Sequence, residues 1–313
     1  MGSAFHTITL TLLPAAAAAL LSGCPERAAE PAGVSAPDVV TRGILRAATK
    51  RHVDSNGDSP VEPFAVTAGF ARYDPEFEDL LYGLLPWHRE EPEVGLDACG
   101  PPGPVLGVKQ PRPVPGETAI ELLDAGNLTL AVDGVALSVS TRTFPDLLKV
   151  VDGVMYSAEE SHGVRFLPGA TYSLRSSGSD LVGPFEVVLE APEDLGEFKL
   201  DGVSPTEQPP TIRRGEDLTI TWEGAGWGDE VIAEFTWTSL GLPLSMVCRM
   251  RDDGLFVVPG DRTRGLQDPL RSGNEELSIS RVRQVAFRAA GLSSGTFAFM
   301  MVAGFPVRFD GPG

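Results

Sequence analysis

Two residues, Asp133-Gly134, constrain this chain more than any others, because they divide two apolar half-patterns that match in one register. A two-residue type I′ turn needs positive φ at both central positions, which Asp and Gly tolerate best. Closing the turn there sets Val132 opposite Val135, Leu130 opposite Leu137 and Leu128 opposite Val139. All six then project on one face, with Thr129, Ala131, Ala136 and Ser138 on the other. A slip of one residue would turn every apolar side chain outward. A hairpin with one buried face follows over 128–139.

The same reading extends along the chain. Strands are expected at Val164–Leu167, Ala170–Arg175 and Phe185–Glu190, then at Leu218–Trp222, Val231–Trp237, Leu244–Arg251 and Leu255–Val258. An Asp252-Asp253-Gly254 turn separates the last two. From Leu277 to Ala289 the alternation changes phase at Arg281 and Arg283, the signature of a bulge or an exposed stretch. Phe297–Phe309 is apolar on both faces as far as Val302, as a central strand is. With 35 Gly and 27 Pro, the chain has the turn residues that short strands need. One helix is expected over 75–85: Asp74 is an N-cap, Pro75 suits the first helical position, and Phe77, Leu80, Leu81, Leu84 and Leu85 form one stripe that docks on its own domain. The prolines of 87–115 exclude a central strand there. The fold expected is mainly β: two β-sandwich domains of Ig-like architecture, 64–195 and 211–313, joined by a linker at 196–210. The Cys…Trp…Cys framework of true Ig domains is missing.

Ahead of these, Ile8–Leu21 is an apolar run shorter than the roughly 20 residues of a bilayer span and interrupted by Pro14. Leu21-Ser22-Gly23-Cys24 follows directly and resembles the lipobox of bacterial lipoproteins. That resemblance implies a signal peptide over 1–23, cleavage between Gly23 and Cys24, and fatty acyl chains on the Cys24 thiol. Two acyl chains hold a protein stably at a bilayer where one is marginal. Pro25 rather than Asp after the cysteine implies, by the same resemblance, the outer membrane. Residues 24–63, rich in Ala, Pro, Glu, Ser and Gly with a brief apolar patch at Val39–Ala48, read as a flexible spacer. The lipobox, the stretch Asp217–Gly224 (DLTITWEG) and the Cys248…Val258-Pro259 pattern together resemble the two-domain β-rich lipoproteins of myxobacteria, a likeness that implies no activity.

Charge and chemistry narrow the function. The net charge is -18, and residues 61–200 carry 23 acidic against 9 basic side chains. Such a surface repels nucleic acid. Asp54, Asn56 and Asp58 begin like a calcium loop, but Gly57 is misplaced and Ala65 stands where the loop needs Glu. No nucleophile elbow, phosphate-cradling loop or paired-histidine zinc motif is present, and His52, His88 and His162 lie apart. No metal or cofactor is therefore expected, and no enzyme. The carboxylate pairs Glu90/Glu91, Glu159/Glu160, Asp252/Asp253 and Glu275/Glu276 are too common in so acidic a chain to mark a site. Cys99 and Cys248 either form a disulfide or leave Cys248 as a buried free thiol between Met246 and Met250. Trp222 and Trp237 fall on core faces, whereas Trp227, between Gly226 and Gly228, is placed to stack on a ligand. The expectation is a lipid-anchored envelope protein serving as a binding, adhesion or assembly module with a protein or glycan partner. The alternative is a surface carbohydrate-binding protein or glycan-active hydrolase.

Overall fold

In the computed structural model the described residues are 39–52, 64–78, 80–81, 94–104, 118–144, 150–159, 166–224, 228–239, 241–266 and 275–310. In chain order the strands are β1 (Val40–His52), β2 (Ala65–Tyr73), β3 (Ala98–Cys99), β4 (Gly103–Pro104), β5 (Ile120–Leu122), β6 (Leu128–Val132), β7 (Val135–Phe144), β8 (Val151–Glu159), β9 (Thr171–Ser176) and β10 (Phe185–Glu190). There follow β11 (Lys199–Leu200), β12 (Thr211–Arg213), β13 (Leu218–Thr221), β14 (Glu230–Ser239), β15 (Leu242–Arg251), β16 (Leu255–Val258), β17 (Glu276–Phe287), β18 (Ser294–Pro306) and β19 (Arg308–Asp310). The protein is mainly β.

The hairpin β6–β7 has the register its sequence predicts, with Val132, Leu130 and Leu128 facing Val135, Leu137 and Val139. Asp133 (φ 47°) and Gly134 (φ 77°) both lie in the left-handed region that the turn demands. Five of the six apolar side chains are buried; Val135, at the tip, is half exposed. Beyond the hairpin β7 continues. Its second half, Ser140–Phe144, leaves β6 and pairs with β8, so one strand turns the corner between two layers.

The larger layer is a long mixed sheet in the order β8, β2, β1, β18, β17, β14, β15, edged by β3 and β4, with β5 beside β2 and β8. Two smaller sheets cover the same face of it. β7, β6, β9 and β10 enclose a first core with Leu45, Ala47, Phe70, Phe297 and Phe299 beneath. The sheet β11, β13, β16 encloses a second with Val231, Phe235, Cys248, Ile279 and Phe305 beneath.

Several expectations need correction. Two separate sandwich domains are not found: residues Pro37–Gly313 form one unit, and the long sheet underlies both cores. Within the expected spacer, 40–52 is β1, a central strand parallel to β18 and antiparallel to β2. Four basic residues in thirteen (Arg42, Arg46, Lys50, Arg51) had hidden a strand whose Ile44, Leu45 and Ala47 are buried. The expected linker 196–210 supplies β11 and buries Phe198 and Leu200 in the second core. β17 has no bulge, because its register with β18 is unbroken from Glu276 to Phe287. The segment 252–254 separates β15 from β16 as expected, and the two strands lie in different sheets.

The expected helix opens as a 3-10 turn, Pro75–Phe77, with the Asp74 carboxylate accepting from Glu76 N at 3.0 Å. Leu80 and Leu81 dock on Ile44, Ile120 and Leu122 of the same unit; Leu84 and Leu85 lie outside the described residues. Of Val164–Leu167, Phe166 and Leu167 are irregular and the rest lies outside the described residues. No helix among the described residues is long and apolar enough to cross a membrane.

Candidate functional site: a polar seam and its cleft

Where one covering sheet ends and the other begins, the floor of the long sheet changes character. Along β17, Leu277 and Ile279 face the second core and Phe287 the first, with Arg281 and Arg283 between them on the same face. On β18, Met301 stands opposite Arg281 and Phe299 opposite Arg283, and on β1 Thr49 and Arg51 stand beside Met301 and Ala303. The phase change read from the sequence is therefore a change of residue type at a seam, with the strand itself regular.

Arg281 is fully buried, and both of its terminal nitrogens are hydrogen-bonded. Its Nε lies 2.8 Å from Asp252 Oδ2, and its Nη2 donates to Asp252 Oδ1 at 2.9 Å and to the Glu223 carbonyl. Its Nη1 donates to the Glu193 and Asp194 carbonyls at 3.0 and 2.5 Å. Asp252, equally buried, also accepts from Trp222 Nε1 at 2.6 Å. A buried ion pair holds only when most remaining donors and acceptors are met; here Nη1 and Nη2 are, while Nε is in ion-pair contact with Asp252 without a hydrogen bond. Arg283 binds both Asp229 oxygens at 2.5 and 2.8 Å and Glu190 Oε1 at 3.0 Å. The bonds to Asp229 raise the Arg283 pKa above its ordinary value. Arg51 binds Asp194 Oδ2 at 2.8 Å. Three arginines thus pin the crossover 190–194, which carries the chain from the first covering sheet to the second.

Beside the crossover opens a cleft of about 420 Å³, floored by Thr49, Met301 and Ala303 and walled by Phe64, Phe166 and Leu195. A smaller hollow of about 130 Å³ continues it past Phe198 and Phe305, sharing Arg51, Asp194, Leu195 and Ala303. The lining is more apolar than polar, and the partly exposed Arg51–Asp194 pair is part of it. A second cavity, of about 560 Å³, lies among Leu96, Gly228, Asp229, Glu230, Asp252 and Asp253. Three of its carboxylates are held by arginines: Asp229 by Arg283, Asp252 by Arg281, and Glu230 by Arg249 at 2.5 and 2.6 Å. On the reverse face of the long sheet, Lys50 pairs with Glu276 at 3.6 Å. There burial, with Glu276 nearby, raises the Glu234 pKa.

Of the residues singled out by sequence, Cys99 and Cys248 are joined as a disulfide across directly paired positions of β3 and β15. Gly23, Cys24, Trp227, His88, His162 and the Asp54–Asp58 segment lie outside the described residues. Trp222 and Trp237 are core residues. The pair Asp252/Asp253 is split: Asp252 is buried, while Asp253 is exposed and accepts from Leu255 N at 3.3 Å. Among the described residues no group of His, Cys, Asp and Glu stands close enough to hold a metal ion. The sequence carries no sign of the cleft: Thr49 and Arg51 read as spacer, and no local pattern brings Phe64, Asp194 and Met301 together.

No family model matches the chain, and no curated protein matches it. Among solved structures, it is similar to the yeast delta-COP-I mu-homology domain at 11% identity and a TM-score of 0.23, covering 87% of this chain and 98% of that one. The same domain complexed with a Dsl1 WxWxV peptide gives 8%, 0.23, 87% and 98%. The Fcho1 mu homology domain of Danio rerio with bound Eps15 peptide gives 8%, 0.22, 84% and 97%. At these TM-scores the likeness carries no inference about this chain.

Proposed function

We propose that this chain is a lipid-anchored protein of the cell envelope that binds rather than catalyses, and that it binds at the cleft beside the seam. The carrying observation is the composition of that cleft: Phe64, Phe166, Leu195 and Met301 offer apolar contact, and its charged pair, Arg51–Asp194, is partly exposed. Binding pockets are typically apolar with a few placed polar groups. In the larger cavity the carboxylates of Asp229, Glu230 and Asp252 are each engaged by an arginine. The anchor rests on Leu21–Cys24. Two measurements test the reading. Mass spectrometry of the chain from its host should find residue 24 amino-terminal and acylated; a bare thiol with the leader attached removes the anchor. Met301→Trp should fill the cleft, and crosslinking in intact cells should then lose the partner captured by the parent chain. An unchanged crosslinking pattern moves the binding site elsewhere.

The glycan reading has its own observation, the 560 Å³ cavity lined by Gly224 and Gly228, which flank the segment that carries Trp227. Trp227→Ala should then abolish retention on immobilised glycans, and retention by neither chain sinks that alternative.

A further inference from the structure

Around the crossover the charges do not cancel. Arg51 is matched by Asp194, Arg281 by Asp252, Arg283 by Asp229 and Glu190, and Lys199 by Glu197. Two exposed carboxylates, Glu193 and Glu223, are left over. A methyl group added at Gly169 would meet Glu193 Oε1, and one at Gly196 would meet Glu223 Oε2. Pro168, beside Gly169, lines the cleft, and Gly196 lines the hollow that continues it. Among the described residues neither carboxylate has a hydrogen-bond or ion-pair partner. Asp194, which lines both spaces, gives Arg51 its Oδ2 and leaves Oδ1 open. The backbone beneath all three is fixed by one buried group. The Arg281 guanidinium donates to the carbonyls of Glu193, Asp194 and Glu223.

We propose that the cleft takes a small organic cation with an apolar body, its ammonium group held by Asp194 and Glu193. The proposal rests on the reading of the cleft as a binding site and adds the chemistry of its ligand. The body lies against Phe166, Leu195 and Met301. Phe64 and Phe166 stand 5.7 Å apart, tilted at 56°, and aromatic faces attract a cation. The volume of about 420 Å³ suits a small molecule. Charge decides the sign of the ligand. An anion would have to take an arginine from its carboxylate, on a chain of net charge -18. A cation meets carboxylates that are open. A metal ion is a poorer match, because among the described residues no group of acidic, His or Cys side chains converges on one point.

The test uses the full chain with Cys24→Ser and titration calorimetry with octylammonium, octanoate and octanol, which share a body and differ in charge. Octylammonium should bind at least about tenfold more tightly than octanoate, with octanol between them. Glu193→Gln with Glu223→Gln should weaken octylammonium about fivefold and leave octanol unchanged. Asp180→Asn removes an exposed carboxylate ahead of the opposite end of β10 and should change neither. Met301→Trp should abolish binding of all three. Octanoate binding as tightly as octylammonium overturns the proposal; if Met301→Trp then abolishes both, the cleft still binds, with another specificity. A cation preference that survives the double variant overturns it too, as does one that Asp180→Asn removes equally. Binding by none of the probes also overturns it, and the cleft reading is then judged by the crosslinking of Met301→Trp alone.

Discussion

The two covering sheets close the same long sheet by different means. The first is bound to it through a shared strand, β7, and through two groups of rings, Phe64, Phe166, Tyr172, Phe297 and Phe299 in one and Phe70, Tyr156, Phe185 and Phe287 in the other. The second shares no strand with the sheet it covers, and its strands are two to four residues long. It closes over its own apolar core, with Phe198, Leu200, Leu218, Ile220 and Trp222 packed on the long sheet, and is held in addition by polar attachments from Arg281 to Asp252, Glu223 and the crossover. A layer that shares no strand with the sheet beneath it gains from such rivets.

Breaking the rivet is the severest test of that difference. Arg281→Ala strands a buried Asp252, and urea denaturation should show a loss of about 3–5 kcal/mol. The pair Arg281→Met with Asp252→Leu should recover much of it, because the uncompensated charge goes. If the single variant unfolds no more easily than the parent chain, the second sheet is held by packing alone. In the first sheet no single polar group has that weight. Leu130→Ala, at the centre of the hairpin, should cost about 2–4 kcal/mol, as a cavity in a packed core does, and the loss should be insensitive to salt.

Smaller effects sharpen the contrast. The Tyr156 hydroxyl donates to Asp124 Oδ1 at 2.6 Å and accepts from Ala125 N at 2.7 Å. Tyr156→Phe should therefore cost about 1–3 kcal/mol. The same hydrogen bond lowers the Asp124 pKa. Its stabilisation is complete above the ordinary aspartate value and is lost as pH falls through the lowered one. Glu234 has the opposite sign. Its raised pKa makes the folded state bind the proton more tightly, so stability falls as pH rises from the ordinary glutamate value through the raised one. Acid titrations of Asp124→Asn and Glu234→Gln should diverge from the parent curve in opposite directions. Least of all, Arg51→Gln removes an exposed ion pair and should change stability by under about 1 kcal/mol, while altering capture at the cleft.

How far the sequence carried the fold depends on where each strand lies. β6, β7, β10, β14 and β16 alternate because one face meets a core and the other meets solvent or a polar layer, and that period was readable. β1 sits at the centre of the sheet yet carries Arg42, Arg46, Lys50 and Arg51, so its composition resembles a linker. Burial there is created by β2 and β18, which no local window contains. Arg281 presents the same difficulty: its neighbours in space come from 193–194, 223 and 252, and a charged residue in a strand reads as exposed until those partners are known. The cleft was illegible for the same reason, since its floor and walls come from widely separated segments. The crossover, by contrast, announced itself as a boundary by its composition, and the boundary is real as a change of covering sheet.

The parallel pairing of β1 with β18 has a consequence for how the molecule is made. Thr41 and Ser293 meet across 252 residues, so β1 waits for β18 to be made before it gains its second neighbour. Contacts of such separation slow folding. Until Ser294–Pro306 has left the ribosome the nascent chain holds one flank of β1 open, and a truncation ahead of Ser294 removes the keystone from the middle of the sheet.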